Sequence, residues 1–152
     1  MKILFCGSRN WTDRETIRHV LQKLAEDVGE GPAIAVHGAA RGADTIAGEF
    51  ASELGFEVRA CPANWEKHGK AAGPIRNTEM LEKEKPDRVI AFVLPESKGT
   101  WDMIMKAVKV GIPTTLHFGA SLSVQTDPPM DDRPTIAITL NALLPPHRGG
   151  LG

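Results

Sequence analysis

Residues 61–80, CPANWEKHGKAAGPIRNTEM, gather Asn64, Trp65, His68, Lys70, Arg76 and Asn77 into one stretch of a chain in which 5% of residues are aromatic. A connecting loop would need only turn formers such as Gly, Asn, Asp and Ser. Here Asn64 and Trp65 offer a hydrogen-bonding amide and a flat surface able to stack on a base. His68, Gly69, Lys70 and Gly73 are expected in a flexible loop, and Arg76 and Asn77 on the first turn of the helix that follows. Cations near a helix N-terminus are disfavoured by its dipole, so Lys70 and Arg76 are expected to serve a bound anion.

Three other segments carry candidate chemistry. In FCGSRNWTD, a strand runs through Gly7, Ser8 and Arg9 into a capped helix, which supplies backbone N–H groups, a hydroxyl and a guanidinium for phosphate or carboxylate. In VHGAARGADTIA, Gly38 and Gly42 frame a small-residue loop holding Arg41, the layout of a backbone nest for phosphate at a helix start. It lacks the Lys and Ser or Thr of a P-loop, and its glycine spacing is not the dinucleotide fingerprint. Asp44 has two readings there, a helix cap or a ribose ligand; His37 is a satisfied strand-end histidine or a catalytic one. In LPESKGTWDMI, Gly99 and Thr100 form another strand-to-helix turn able to take a phosphate oxygen. Asp102 is favourable in a first turn through the dipole alone, with general acid or base work as the other reading. Trp101 either packs or stacks. His37, Cys61, His68 and His117 have no paired metal-ligand spacing, so no metal site is expected.

The elements that must position these groups follow from periodicity. Strand-length apolar runs recur at Lys2–Cys6, Ala33–His37, Phe56–Ala60, Arg88–Val93 and Thr114–Phe118, several of them apolar nearly throughout, as strands covered on both faces are. Between them, Ile17, Val20, Leu21, Leu24 and Val28 form one helical stripe entered through Thr12 or Asp13. Ile46, Ala47, Phe50 and Leu54 form a second; GPIRNTEMLEKEK a third, with Pro74 in its first turn; and TWDMIMKAVKVG a fourth, ending at Gly111 with Pro113 beyond. This alternation predicts a three-layer, Rossmann-like α/β domain over residues 1–118 with a mainly parallel five-stranded sheet. Ligands of such sheets sit outside the carboxyl ends of the strands. Residues 119–152, rich in Pro, Asp and Gly around the apolar run TIAITLNALL, are expected to be an appendage, either an edge element or a partly disordered tail.

The chain of 152 residues has a net charge of -1 from 18 basic and 19 acidic side chains. No overall field favours duplex nucleic acid or an anionic membrane, and any anion site must be local. Cys6 and Cys61 each end an apolar run, which suits reduced thiols and a cytoplasmic location. No run is long enough for a signal peptide or a membrane span.

In this order, GSR, HGAARGAD, PANWEKHGKAAGPIRNTEM and KGTWDMI resemble the SLOG superfamily, specifically its small YpsA-related branch of bacteria and phages, over residues 1 to about 117. The resemblance implies a Rossmann-like domain that binds a nucleotide or nucleotide-derived ligand, with no cofactor of its own, as a sensor or sequestering module. It also implies a homo-oligomer, by analogy with the dimeric lonely-guy phosphoribohydrolases. Those enzymes hydrolyse the N-glycosidic bond of a nucleoside monophosphate, and IRNTEM is similar to the segment carrying their catalytic Arg, which falls on Arg76. Their PGGxGTxxE motif is similar to SKGTWDM, with Gly99 and Thr100 kept but Met103 at the catalytic Glu position. Glycoside cleavage wants a carboxylate, so the hydrolase alternative requires Asp102 or Asp44 to supply it. A further alternative, single-stranded DNA binding, needs a basic groove with several stacking aromatics; near-neutral charge and few aromatics count against it.

Overall fold

The computed structural model describes residues 1–119 and 136–139 of the chain. Five strands form where the apolar runs predict: β1 (Lys2–Gly7), β2 (Ile34–His37), β3 (Glu57–Ala60), β4 (Arg88–Val93) and β5 (Thr114–Phe118). They pair in parallel in the order β3-β2-β1-β4-β5, and β6 (Ile136–Thr139) adds antiparallel to β5, with Ile136 opposite Phe118. Each central strand alternates between two cores. Ile3, Phe5, Ile90 and Phe92 enter one apolar cluster and Leu4, Val89, Ala91 and Val93 the other, which is why these runs carry no polar face.

Helices cover both faces and make the third layer. On the first face lie α1 (Arg14–Val28) and α2 (Ala43–Glu53). Asp13 starts α1, its Oδ1 accepting from the Thr16 N–H at 3.1 Å, and Ile17, Leu21 and Leu24 point into the core. Leu54 departs from its expected stripe: α2 ends at Glu53, and Leu54, as its C-cap, is 37% exposed. On the second face lie α4 (Ala72–Glu84) and α5 (Lys98–Lys109), contributing Met80, Leu81, Met103, Ile104 and Ala107 to the core. Fully burying one such side chain contributes about 1.5–3 kcal/mol.

The expected flexible loop at residues 68–73 is instead ordered backbone. Asn64 caps one helical turn, α3 (Trp65–His68), its Oδ1 accepting from the Lys67 N–H at 3.0 Å. A 3-10 turn, Gly69–Ala71, then leads straight into α4. Because α4 starts at Ala72, Arg76 and Asn77 lie in its second turn rather than its first. That removes the dipole argument for an anion at Arg76, since the effect fades beyond the first turn.

In this strand order β1 lies between β2 and β4. The chain leaves β1 and β2 for helices of the first layer, and β4 for α5 in the second. The carboxyl ends of β1 and β4 therefore border the crevice where such sheets admit ligands.

Candidate functional site

A cavity of about 460 Å³ opens at those strand ends, within the range of about 300–1,000 Å³ usual for small-molecule sites. Its floor begins at β1. A Cβ on Gly7 would lie 2.8 Å from the Phe92 carbonyl oxygen and hard against the Ala43 side chain, so only glycine lets β1, β4 and α2 meet here. Ser8, 6% exposed, is fixed by its backbone: its N–H donates to the Phe92 carbonyl, and its own carbonyl accepts from Trp11 and Ala43. Its Oγ accepts from the Asn10 N–H at 3.2 Å. Gly42, at φ +77, packs on the Ser8 and Arg9 carbonyls and does not line the cavity.

The loop between β2 and α2 has a nest-like backbone, but the protein fills it. Asp44, 4% exposed, accepts from the Gly38 N–H at 3.0 Å and the Ala40 N–H at 3.4 Å through Oδ2. The Ala39 N–H donates to His37 Nδ1 at 3.0 Å. The three successive N–H groups expected to cradle phosphate are therefore engaged within the chain. Burial pushes the Asp44 carboxyl up to about 6, although Arg76 and the N–H groups of Ala40, Gly38 and Gly7 pull the other way. His37 is held below its usual value by burial and by Arg76. With Nδ1 accepting, it is a neutral strand-end histidine, and it does not line the cavity.

Arg76 acts as a strut within the fold. Its Nη1 donates to the carbonyls of Gly38 and Cys61, and its Nε to Asn77 Oδ1 at 3.0 Å, so one guanidinium ties the ends of β2 and β3 to α4. Gly38 sits against that guanidinium and lies outside the cavity lining. Asn77, 4% exposed, passes the connection on: its Nδ2 donates to the Gly99 carbonyl at 3.2 Å and to Asp102 Oδ2 at 3.0 Å. Lys106 completes the set, its Nζ 2.8 Å from Asp102 Oδ2 and 2.9 Å from the Pro74 carbonyl. Asp102 lines the cavity without any shift of the helix, whereas Met103 is wholly buried in the core.

The start of α5 is left open. No side chain caps it, because Ser97 Oγ accepts instead from the Leu94 N–H at 3.1 Å. A Cβ on Gly99 would meet nothing within 4 Å, so neither packing nor a positive φ calls for glycine there. The bare backbone at Gly99 and Thr100 gives an anion room to approach the positive helix end. At the mouth, the Arg9 guanidinium lies 5.3 Å from the centroid of the Trp65 ring, which is 48% exposed. Arg41, Lys70 and Lys98 are also exposed around this opening.

Of the residues expected from sequence, the cavity thus brings together Gly7, Ser8, Arg9, Arg41, Asp44, Trp65, Lys70, Arg76, Asn77, Gly99, Thr100 and Asp102. Asn64 serves as a helix cap outside it. Trp101 tilts toward Phe118, with ring centroids 6.3 Å apart, and is not in the lining. Cys6, Asn10, Met80, Glu96 and Lys98 line it unforeseen. Met80 was findable, being three and four residues beyond Asn77 and Arg76 on the same helix face. Cys6 ends an apolar run and gave no such signal; burial raises its thiol pKa well above the usual value, which disfavours the thiolate. Among the described residues, no three His, Cys, Asp or Glu side chains converge as a metal site would require. Nor is any helix among them long and apolar enough to cross a membrane.

The profile of the family described as "YAcAr: YspA, cpYpsA-related SLOG family" matches residues 1–68. The Gene 61 protein of Mycobacterium phage D29 is 42% identical over 125 residues, covering 78% of this chain and 96% of that protein. Among solved structures, DNA processing protein A (DprA) from Streptococcus pneumoniae aligns with a TM-score of 0.44 and 17% identity, over 74% of this chain and 57% of that one.

Proposed function

Because the chain belongs to the YpsA-related branch of the SLOG superfamily, a grouping associated with nucleotide-related ligands, we propose that this cavity binds a nucleotide or nucleotide derivative as a sensor or sequestering module. The uncapped start of α5 carries the reading. Its open backbone at Gly99 and Thr100, beside Lys98, suits a phosphate. Trp65 at the mouth suits the base, with Arg9 already against one ring face. Stacking on an aromatic is worth about 1–3 kcal/mol per base.

A second reading, cleavage of an N-glycosidic bond, is favoured by one observation. Asp102 lines the cavity, oriented by Asn77 and Lys106, so a carboxylate is available although the residue after it is the buried Met103.

Thermal-shift measurements against mononucleotides, dinucleotide cofactors, ADP-ribose and cyclic nucleotides, with mass spectrometry of each mixture, test both. A ligand well above its Kd should raise apparent stability by a few kcal/mol. Recovery of the ligand intact supports binding alone; free base or ribose phosphate supports hydrolysis. Trp65→Ala should leave the unliganded Tm unchanged and weaken binding about tenfold. No shift with any nucleotide sinks the proposal.

A further inference from the structure

The charge on the cavity wall is out of proportion to the chain. Five cations line it, Arg9, Arg41, Lys70, Arg76 and Lys98, against the carboxylates of Asp44, Glu96 and Asp102. Asp102 is already balanced by Lys106, 2.8 Å away. That leaves an excess of three positive charges in a protein whose net charge is -1.

Of the eleven Lys and Arg elsewhere among the described residues, six (Lys2, Arg14, Arg18, Arg59, Lys83 and Lys106) form ion pairs, whereas none of the five on the cavity wall does. Arg76 is moreover held below its usual pKa by burial, with the attraction of Asp44 opposing that and a smaller repulsion from Arg9 adding to it. An anion bound here would meet cations that no carboxylate already pairs. The cations also come from both layers: Arg41 from the loop entering α2, Lys98 from the first residue of α5.

One phosphate monoester carries at most about two negative charges at neutral pH, too few to match this excess. Resting on the nucleotide reading, we infer that the ligand ends in a terminal diphosphate, as a nucleoside diphosphate with about three negative charges does, spanning the crevice between the Arg41 and Lys98 sides.

Calorimetric titration of the full chain with AMP, ADP and ADP-ribose, and with the guanine, cytosine and uracil mono- and diphosphates, tests this. ADP-ribose, whose two phosphates carry one charge each, should bind less tightly than ADP, and the diphosphate of the preferred base should bind at least about tenfold tighter than the corresponding monophosphate, as further charge-assisted contacts provide. That advantage should shrink as salt rises, and should shrink in Arg41→Gln and Lys98→Gln, both exposed positions whose replacement leaves the core intact. Equal affinity for mono- and diphosphate, or an advantage unchanged in both variants, overturns the inference and leaves nucleotide binding standing. Absence of binding by every nucleotide overturns both.

Discussion

Asp44 is a buried carboxylate whose ionisation works against the fold. Burial raises its pKa from 3.8 to about 6 even with Arg76 and three backbone N–H groups favouring the charged form. An acid with a raised folded pKa contributes stability that is complete below the unfolded value, and loses it as pH rises through the folded one. A shift of about 2 units at about 1.4 kcal/mol each makes ionised Asp44 cost about 3 kcal/mol at neutral pH relative to its protonated form. Asp44→Asn keeps an oxygen that can accept from Gly38 and Ala40 and cannot ionise. His37 and His117, both with lowered pKa values, act in the opposite direction, losing stability as pH falls through the region below 6.5. The wild-type pH profile alone would mix these effects, but the difference between variant and wild type cancels the histidines. Urea unfolding at closely spaced pH values from 4 to 7.5 should show the variant gaining on wild type by about 3 kcal/mol, with most of the change centred between 4 and 6. A difference that stays flat across this range would refute the assignment of Asp44 as a strained, buried anion.

Two further substitutions test the packing that shapes the cavity. Gly7→Ala would drive a Cβ against the Phe92 carbonyl and the Ala43 side chain; overpacking of this kind should cost about 1–3 kcal/mol in chemical denaturation, and an unchanged midpoint would mean that the β1–α2 contact is looser than described. Met103→Glu restores the carboxylate of the phosphoribohydrolase motif on paper but buries an unpaired charge in the core; the variant should unfold or lose several kcal/mol by thermal denaturation rather than gain hydrolase activity, whereas a stable, active variant would contradict that burial.

The parts of this molecule that follow from a period were legible in the sequence. Strand limits fell within a residue or so of the apolar runs, because a strand buried on both faces has no polar residues to blur its ends, and the stripe from Ile17 to Leu24 identified the buried face of α1. The site was legible as residue types but less so as roles, because a role depends on partners that sequence spacing does not reveal. Asn64 and the loop of Gly38–Ala40 have the composition of ligand contacts, yet Asn64 caps a helical turn and the loop's N–H groups go to Asp44 and His37. Arg76 was expected in a first turn, where a cation would need an anion; with α4 starting at Ala72 it falls in the second turn and donates to backbone carbonyls from two strand ends instead. The same dependence on helix phase separates Asp102 from Met103. Adjacent residues point about 100° apart on a helix, and the start of α5 at Lys98 turns Asp102 to the cavity and Met103 to the core. Besides the exposed Glu96, the carboxylates on the cavity wall are therefore Asp102 and Asp44, and both are already committed to hydrogen bonds that an incoming ligand would have to share or break.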